Sequence, residues 1–473
     1  MFQAVLESDA ALRVLTDGIS TMLTPEGMAD SRISRTFKGA ITTFLPKPDK
    51  EEEELEMVQN QRPITLRTAL FKISTVLLKK RFMGALEAAG TVDAEQQGFR
   101  CRRSARRAVH ALQNLIWDAQ RAKKKFLLIS LDWRNCFGSI SQDAFLAVAE
   151  MVGFSSEDVS LLRAFYKDTS LFVRTDGGDS AQIYLSRGFF QGDVFSPDAA
   201  TLMSVLLIRM LKYSGCFCEH SSGDGKKLVN AVVFADDSTL VVTGDTNFEI
   251  QQRAQKLLDT VAQFADFAAT ALNLGKSFAT GRDFGRDQEL HVRLTFRGDT
   301  VPSVPSGKSF RCLGVQFNCR LNGIEGKQSI LQRTRSLVAM LRKHFHDADQ
   351  IDRVMRTAII PIFRYSSPLL GWTERELNKL HQLWVQGFKA AYGLSPGTAN
   401  ALLTLPQSCG GVGVEHPFTY LLRECVGALN QMLGVRDTFC DLCKYRSQRE
   451  LFDLGAASVA EAQEDLVLAP TPI

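Results

Sequence analysis

Hydrophobic positions along the chain follow two spacings, and each spacing predicts a different kind of element. Apolar residues recur at helical spacing in five stretches: from the start to about residue 34, in 66–86, in 142–152, in 197–211, and in most of the chain after 328. Short β-branched or apolar runs predict strands at 40–47, 126–131 and 230–243. Together these elements indicate an α+β body followed by a mainly helical C-terminal unit.

One strand-like segment carries two carboxylates at a turn. Residues 230–243 (NAVVFADDSTLVVT) contain two β-rich runs separated by Asp236 and Asp237, which predicts a hairpin with the acids at its tip. Residues 126–131 (FLLISL) form an apolar strand that ends at Asp132. Neighbouring strands lie less than about 5 Å apart, so Asp132 and Asp236 would approach to metal-bridging distance if their strands were neighbours. Two Mg²⁺ ions, which prefer carboxylates together with substrate phosphates, would suit that geometry.

Two segments of the sequence predict the N-terminus of a helix. Thr373 and Glu376 have the spacing of a capping box. The residues that follow at helical spacing and are expected to be buried are Leu377, Leu380, Trp384 and Phe388. Ser196 and Pro197 predict a second start, with Ser196 as the cap and Pro197 in the first turn.

Composition excludes several classes of protein without selecting one. The 473 residues suggest about three structural units. A hydrophobic content of 45% with 23% charged residues is typical of a globular protein. No apolar run approaches the about 18 residues of a membrane span. Glu7 and Asp9 stand where a secretory signal has a basic start, so we expect an intracellular protein, nuclear or cytoplasmic.

The ten cysteines are expected to be reduced thiols in such a compartment. Cys440 and Cys443 form a CxxC pair that lacks a second pair at close spacing. Cys216, Cys218 and His220 alternate along what would be one face of a strand. Both groups resemble metal ligands, but packed thiols are the favoured interpretation because structural zinc needs four ligands at close spacing.

The net charge hides an uneven distribution. Lys and Arg number 56 against 52 Asp and Glu, and a formal charge of +4 on 52.5 kDa is too small to indicate a nucleic-acid or membrane partner. Residues 100–125 nevertheless contain nine Lys or Arg and a single acid, Asp118. We expect this basic segment to meet the phosphate groups of a nucleic acid along a template path.

Eight motifs occur in a fixed order between about residues 40 and 415. They are QRPITLRTALFKI (61–73), QQGFRCRRS (96–104), ISLDWRNCFGSI (129–140), RGFFQGDVFSP (187–197), VVFADDSTL (232–240), ALNLGKS (271–277), FRCLGVQF (310–317) and LPQSCGGVGV (405–414). In this order they resemble the reverse transcriptases of the non-LTR (LINE-type) retrotransposon class. Each motif alone is a weak signal, whereas the ordered set is highly specific.

The resemblance implies a right-hand polymerase fold of the α+β class with an antiparallel sheet in its palm. It implies fingers with an N-terminal extension at 1–125, a palm at 126–320, a helical thumb at 321–430 and a C-terminal tail at 431–473. The implied activity is RNA-directed DNA synthesis, in which two Mg²⁺ ions help a primer 3′-hydroxyl attack a dNTP during target-primed reverse transcription. The implied partners are an RNA template, a DNA primer or target and dNTPs, with no membrane.

Other classes stay open at this point. A group II intron-type maturase would share the polymerase and add a splicing role. A viral RNA-dependent RNA polymerase would share the palm, but it would be expected to lack a bulky residue at position 137. A catalytically silent RNA-binding relic is disfavoured by the intact Asp132, Asp236 and Asp237, because clustered acids are more often found where they serve a site.

The resemblance also implies roles for individual residues. Asp132 and Asp236 are expected to bind the metal ions, Asp237 to contribute more weakly, and Lys276 to give a proton to the leaving pyrophosphate. The residues expected to contact the dNTP are Lys47, Arg62, Phe137, Gln191 and Gly192. The residues expected to steady the primer end are Cys312, Leu313 and Gly314. The residues expected to contact nucleic acid from the basic segment are Arg100, Arg102, Arg103, Arg106 and Arg107.

Phe137 is expected to lie under the incoming sugar, five residues after Asp132. A bulky ring there leaves no room for the 2′-hydroxyl that separates ribonucleotides from deoxyribonucleotides, so the expected product is DNA. The sequence departs from the family at Gly138, where Asp is usual, and at Phe195, where Leu is usual. We expect Gly138 to loosen the loop after Phe137 without removing a metal ligand. The acidic insertion at 49–56 is expected to lengthen the fingers hairpin.

Overall fold

The computed structural model describes residues 8–30, 37–47, 57, 60–222, 225–344 and 347–433. The acidic insertion at 49–56 and the pair Cys440 and Cys443 lie outside these residues, so the predictions for them stay predictions. No helix within the described ranges is both long enough and apolar enough to cross a membrane.

The N-terminal region consists of a strand hairpin surrounded by helices. Its elements are α1 (Asp9–Met22), α2 (Pro25–Ala29), β1 (Gly39–Pro46), β2 (Gln61–Arg67), α3 (Ala69–Ala88) and α4 (Ala105–Arg121). β1 and β2 pair antiparallel, from Ala40 opposite Arg67 to Pro46 opposite Gln61. The prediction of a helix from residue 66 was wrong at its start, because 66 and 67 belong to β2. Thr68 caps α3 by accepting the N–H of Phe71 at 3.3 Å.

The central region contains most of the strands. Its elements are β3 (Lys125–Leu131), α5 (Cys136–Ser139), α6 (Gln142–Met151), α7 (Ser156–Tyr166), β4 (Ser170–Thr175), β5 (Gly178–Asp179), β6 (Ile183–Tyr184), α8 (Ser196–Tyr213), β7 (Cys218–Ser222), β8 (Gly225–Val229), β9 (Ala231–Phe234), β10 (Asp237–Gly244), α9 (Asn247–Ala268), β11 (Phe278–Asp283), β12 (Gln288–Glu289), β13 (Thr295–Phe296), β14 (Asp299–Thr300), β15 (Phe310–Cys312) and β16 (Val315–Phe317). The main sheet is antiparallel in the order β12-β11-β3-β10-β9. A second sheet joins β2, β1, β4 and β5, with β6 also on β4.

The main sheet is buried on both faces, which explains the unbroken apolar run Phe126–Ile129 in β3. Side chains alternate between the faces of a strand. Leu127 and Ile129 therefore pack into the hydrophobic core that includes α8 and α9, while Phe126 and Leu128 pack into the core that includes α4. The two cores hold the sheet in place between helices, and its strand ends stay fixed relative to each other.

The C-terminal region is helical, as predicted. Its elements are α10 (Ile324–His344), α11 (Ala348–Val354), a π-helical turn (Met355–Ile359), α12 (Ile360–Ser366), a 3₁₀ turn (Ser367–Leu369), α13 (Glu374–Ala391), α14 (Ala401–Thr404), a second 3₁₀ turn (Gln407–Cys409) and α15 (Pro417–Leu433). The capping box of Thr373 and Glu376 is confirmed. The buried face predicted for α13 is also confirmed, at Leu377, Leu380, Trp384 and Phe388.

The start of α8 differs from the prediction. Phe195 occupies the cap position and Ser196 is the first helical residue, so the Ser196 hydroxyl forms no capping hydrogen bond. The position of Pro197 in the first turn is confirmed. The cap prediction was wrong because an aromatic cluster holds the fully buried Phe195 ring, 6.3 Å from the ring of Phe82 and 6.5 Å from that of Phe145, which fixes the preceding chain.

Candidate active site

Three carboxylates meet at one end of the main sheet. β10 pairs with β3 so that Ser238 lies opposite Leu131. One position further along the same register, Asp237 lies opposite Asp132, the residue that follows β3. Asp236 occupies the turn between β9 and β10. The predicted hairpin and the predicted neighbouring strands are confirmed, and they bring the three acids together.

The acids repel each other and form no ion pair among the described residues. Burial raises the pKa of Asp236, and the charge of Asp132 raises it further, while Arg62 acts in the opposite direction. Burial raises the pKa of Asp237 to about 6, with contributions from Asp236 and Asp132. Within the described ranges no Lys or Arg forms an ion pair with any of the three carboxylates. Asp237 keeps an exposed edge, so the cluster is open to a ligand.

Asp132 is held by a turn that sequence reasoning did not connect to it. The backbone N–H of Asp132 donates to Ser277 Oγ at 3.0 Å, and the N–H of Asn273 donates to the Asp132 carbonyl at 2.7 Å. Ser277 Oγ in turn donates to the Asn273 carbonyl at 3.0 Å. Lys276 is exposed in this same turn, next to Ser277. Ser277 is the last residue of the ALNLGKS motif, which was the available signal for this support.

The carboxylates match what a divalent cation needs. In the part of the chain that the structure describes, no group of three or more His, Cys, Asp or Glu side chains is arranged to hold a metal by itself. Mg²⁺ usually takes only one or two carboxylates and completes its shell with water and substrate phosphates. A cluster of repelling acids without a counter-ion therefore suits a divalent cation that binds together with a phosphate-bearing substrate.

The second group of candidate metal ligands has a structural contact instead. Cys218 and His220 lie on β7, and both are buried, as is Cys216 just before the strand. His220 Nδ1 contacts the carboxylate of Asp118 on α4. Burial raises the pKa of the Cys218 thiol to about 12, which keeps it protonated. The His220 contact ties β7 to α4.

The hairpin of β1 and β2 brings one predicted cation to the acids. Arg62 is exposed on β2, opposite Leu45, and its charge acts on Asp236. Lys47 lies just beyond β1, where its N–H donates to the Asn60 carbonyl at 3.2 Å. Arg62 therefore contributes positive potential at the acid cluster.

Gln191 and Gly192 are bonded to the same hairpin. The N–H of Thr65 on β2 donates to the Gln191 carbonyl at 2.7 Å. Gly192 has a φ of 105°, and a Cβ on it would lie 2.8 Å from the Thr65 carbonyl oxygen, so only glycine fits this approach. Beside this contact is a cavity of about 280 Å³ whose lining includes Thr65, Phe190 and Gln191.

Phe137 lies in the short helix α5, which borders the same cavity through Gly138. The N–H of Phe189 donates to the Phe137 carbonyl at 2.6 Å. The expectation that Gly138 loosens this loop was wrong. A Cβ on Gly138 would collide with the side chain of Asn135, and Gly188 packs directly against Gly138. The missing side chain therefore lets the loop pack tightly.

Of the predicted primer-end residues, Leu313 and Gly314 form a two-residue hairpin turn between β15 and β16, and Cys312 is the last residue of β15. Leu313 has a φ of 47° and Gly314 a φ of 82°, as a tight turn of this type requires. Tyr365 Oη on α12 donates to the Leu313 carbonyl at 2.6 Å, a contact for which the sequence carries no signal. Burial, with the nearby charge of Asp237, raises the pKa of the Cys312 thiol to about 12, so the turn lies beside the acids.

The basic segment does not form one surface, which corrects the prediction for several of its arginines. The side chain of Arg100 is buried, with paired bonds of 2.6 Å to the Glu87 carboxylate. Arg107 is 4% exposed and donates to the Arg102 carbonyl at 3.4 Å. Their guanidinium groups serve interior contacts.

Other bases of the segment also have acidic partners. Arg106 contacts the Glu424 carboxylate on α15. Lys124 bonds Glu219 at 2.9 Å, and Lys125 pairs with Asp283. Arg102 is exposed and Arg103 half-exposed, so both side chains reach the surface.

Comparison with known families identifies the class of protein that this fold and site define. Residues 45–317, more than half of the chain, match the model of the family described as reverse transcriptase (RNA-dependent DNA polymerase). The chain belongs to this family. The predicted right-hand polymerase fold of the α+β class, with its antiparallel palm sheet and helical thumb, is confirmed, and members of the family generally use divalent metal ions.

Curated relatives are retrotransposon proteins. The chain is 27% identical over 388 residues to a retrovirus-related Pol polyprotein from type-1 retrotransposable element R2 of Popillia japonica, covering 79% of this chain and 50% of that one. It is 24% identical over 322 residues to a probable RNA-directed DNA polymerase from transposon X-element of Drosophila melanogaster, covering 65% and 32%. The resemblance to the non-LTR class is confirmed. The chain spans about half the length of the R2 polyprotein that it matches.

Solved structures with some similarity are telomerases. Apo telomerase from Candida tropicalis without its C-terminal domain gives a TM-score of 0.40 at 12% identity, over 60% of this chain and 54% of that one. Telomerase from Candida albicans in complex with a telomeric RNA fragment gives 0.40 at 10% identity, over 88% and 67%. The family assignment rests on the sequence match.

Proposed function

We propose that the chain is an RNA-directed DNA polymerase of a LINE-like element, which extends a primer 3′-hydroxyl with dNTPs in target-primed reverse transcription. The observation that carries this proposal is the convergence of Asp132, Asp236 and Asp237 at one end of the sheet, where no Lys or Arg of the described residues forms an ion pair with them. Retrotransposon polyproteins among the relatives favour this role over an intron maturase. The acid cluster disfavours a silent relic, because keeping unpaired acids together costs stability.

The acids would hold two Mg²⁺ ions. Bound there, the ions would activate the attacking hydroxyl and stabilise the leaving pyrophosphate. Asp132 and Asp236 would be the ligands, and Asp237 would add negative charge at the exposed edge. The Ser277 and Asn273 bonds would keep the Asp132 backbone in place as the cations arrive. Lys276, in the same turn, would give a proton to pyrophosphate.

The nucleotide would lie between the β1–β2 hairpin and the α5 loop. Arg62 and Lys47 would contact the triphosphate oxygens, since a guanidinium or an ammonium group suits phosphate. Phe137 would exclude the 2′-hydroxyl of a ribonucleotide. Gln191 and Gly192 would lie against the new base pair.

The nucleic acid would run from the basic segment to the thumb. The turn Cys312–Leu313–Gly314 would steady the primer end beside Asp237. Arg102 and Arg103 would contact template phosphates, as cations do in sequence-independent binding. We propose fingers with an N-terminal extension at 1–125, a palm at 126–320, a helical thumb at 321–430 and a tail at 431–473.

Primer extension tests the proposal. The purified chain is given an RNA template, an annealed DNA primer and Mg²⁺, with either dNTPs or rNTPs, beside reactions that contain EDTA. We expect extension with dNTPs only, and none with EDTA. Asp236→Asn is nearly isosteric but cannot neutralise Mg²⁺, so it is expected to abolish incorporation while the protein stays folded by circular dichroism. Wild-type extension rates in Asp236→Asn would refute the metal site.

The sugar selection is tested in the same assay. Phe137→Val makes room for a 2′-hydroxyl, and we expect the variant to incorporate rNTPs while its dNTP incorporation continues. Phe189→Val, a change of the neighbouring buried ring, serves as the matched control and is expected to keep dNTP selectivity. Unchanged selectivity in Phe137→Val would remove the gate from the proposal and leave the polymerase assignment standing.

A further inference from the structure

Behind the Gln191–Gly192 turn lies a group of buried charged and polar side chains. Four of them influence each other electrostatically: Arg67, Tyr166, Asp193 and Asp198. Each has a buried polar atom without a hydrogen-bond partner, namely Arg67 Nε, Tyr166 Oη, Asp193 Oδ1 and Asp198 Oδ2. Buried polar atoms are normally paired, so such a concentration is costly and calls for a functional reason.

Arg67 is fixed between two aromatic rings. Its guanidinium carbon lies 3.6 Å from the centre of the Phe71 ring and 4.8 Å from that of the Phe190 ring. It also donates to the Lys38 carbonyl. Phe190 directly precedes Gln191, so Arg67 touches the turn through a ring that the cation attracts.

Asp193 is fixed from the other side of the same turn. It is 4% exposed, and its carboxylate accepts the N–H groups of Val194 and Phe195. Its own N–H donates to the Phe190 carbonyl at 3.3 Å. Asp193 therefore closes a local turn that begins at Phe190, the residue whose ring covers Arg67.

The two charges stabilise each other without direct contact. Burial raises the pKa of Asp193, and Arg67 is the first group that opposes this rise. Burial lowers the pKa of Arg67 to about 10, and Asp193 is the first group that opposes this fall. Removing either charge leaves the other buried and uncompensated. The turn between them, which also accepts the Thr65 N–H through Gln191, is thus held from three sides.

We propose that Arg67 and Asp193 are positioning residues that hold Gln191 and Gly192 in the conformation that accepts the incoming nucleotide. Neither residue touches the acids or, in this proposal, the substrate. The proposal rests on the polymerase function proposed above and extends it to residues outside the reacting centre. The expected consequence of losing either residue is weaker nucleotide binding with a nearly unchanged chemical step.

Single-nucleotide primer extension at varied dNTP concentration tests the proposal. Asp193→Asn keeps the shape but removes the charge, and we expect the KM for dNTP to rise about tenfold, with kcat changed less than about twofold. Arg67→Gln is expected to do the same. The KM of the double variant is expected to equal that of the single variant with the higher KM, because the two residues act through each other. Arg67→Lys keeps the charge and is expected to recover part of the affinity.

Asp198→Asn is the matched control. Asp198 is a buried acid of the same group whose carboxylate pairs with Lys79 at 3.3 Å and acts on the turn only through the charge of Asp193, so its variant is expected to keep a KM close to the wild-type value. A kcat loss equal to the KM effect, additive effects in the double variant, or a wild-type KM in both single variants would each overturn the positioning role. Should Asp193→Asn fail to fold, the KM of Arg67→Gln decides, and a wild-type value overturns the proposal. A wild-type protein that extends no primer refutes the polymerase function itself.

Discussion

The acid turn and the basic segment 100–125 are both dense clusters of one charge in the sequence, but the fold brings the acids together and separates the bases. The three acids converge and keep no cationic partner among the described residues. The bases are divided. Arg100 and Arg107 are buried in interior contacts, Arg106 contacts Glu424, and Arg102 is exposed.

The difference comes from the backbone that carries each cluster. In an antiparallel pair the register decides which residues face each other, so acids at the ends of neighbouring strands must meet. In a helix and the loop before it, successive side chains point in different directions, so a basic run is shared between surface and interior. A charge cluster on strand ends is therefore a better indicator of a site than a charge run on a helix.

Breaking the acid cluster is expected to give the largest effect. Asp132→Asn removes one of the two proposed metal ligands, and we expect primer extension to fall by at least about a hundredfold to a thousandfold, as when one electrostatic catalytic group is lost. Its melting temperature is expected to equal or exceed that of the wild type, because one of three repelling carboxylates is gone. Asp143→Asn, a change of an exposed acid on α6, is the control for both measurements. Loss of activity together with a lower melting temperature would point to a structural role for Asp132.

Breaking an interior base is expected to affect stability instead. Arg100→Gln loses the paired bonds to Glu87 and the bonds to two backbone carbonyls, and we expect the free energy of unfolding to drop by about 2 to 3 kcal/mol. Denaturant unfolding measures the drop, and the salt dependence of RNA binding is expected to stay as in the wild type. A folded variant of unchanged stability with weaker RNA binding would return Arg100 to the nucleic-acid surface.

Asp198 is intermediate between the acid cluster and the paired bases, because it is a buried acid next to Lys79. Burial raises its pKa to about 6, and Lys79 at 3.3 Å compensates only in part. The folded state thus keeps a proton that the unfolded state has released between about pH 4 and pH 6, so stability falls by about 2 kcal/mol as the pH rises through this window. Asp198→Asn is expected to remove that slope in unfolding measurements. If the pH dependence of stability persists in the variant, another titrating group causes it.

Neutralising the surface bases is expected to weaken binding without affecting the fold. Arg102→Gln with Arg103→Gln should lower RNA affinity about tenfold at moderate salt and reduce the slope of log affinity against log salt by about 2. Fluorescence anisotropy at several salt concentrations measures both quantities. The pair Lys256→Gln and Arg293→Gln, on another surface, is the control of equal charge change. An equal effect of the control pair would indicate that only net charge matters.

The smallest effect is expected at a contact without charge. Tyr365→Phe removes the hydroxyl that bonds the Leu313 carbonyl, and we expect the apparent affinity for primer–template to fall about threefold to tenfold, in line with one lost hydrogen bond. Primer titration in the extension assay measures this change, with the KM for dNTP as an internal control. A change in the KM for dNTP alone would place the effect at the nucleotide instead of the primer end.

Much of the site was predictable because its information is local. The hairpin of residues 230–243 and the apolar strand before Asp132 have strong patterns of their own. The order of the motifs indicated that these two segments are neighbours in the fold. The two-residue turn at Leu313 and Gly314 was likewise encoded by a short motif. The hydrogen bonds that support these residues were not predictable in this way. Ser277 bonds Asp132, 145 positions away, and Tyr365 bonds Leu313, 52 positions away.

The sequence by itself determined the α+β class, the strands and helices with strong periodicity, the capping box of α13 and the family. It also determined which acids stand at strand ends, since turn chemistry and alternation act over a few residues. Tertiary structure alone decided which arginines of the basic segment face inward, that Gly138 tightens its loop, and that Arg67 and Asp193 lie on either side of the Gln191–Gly192 turn. The physical reason is that burial and pairing depend on residues far apart in the chain, whose approach no local pattern records.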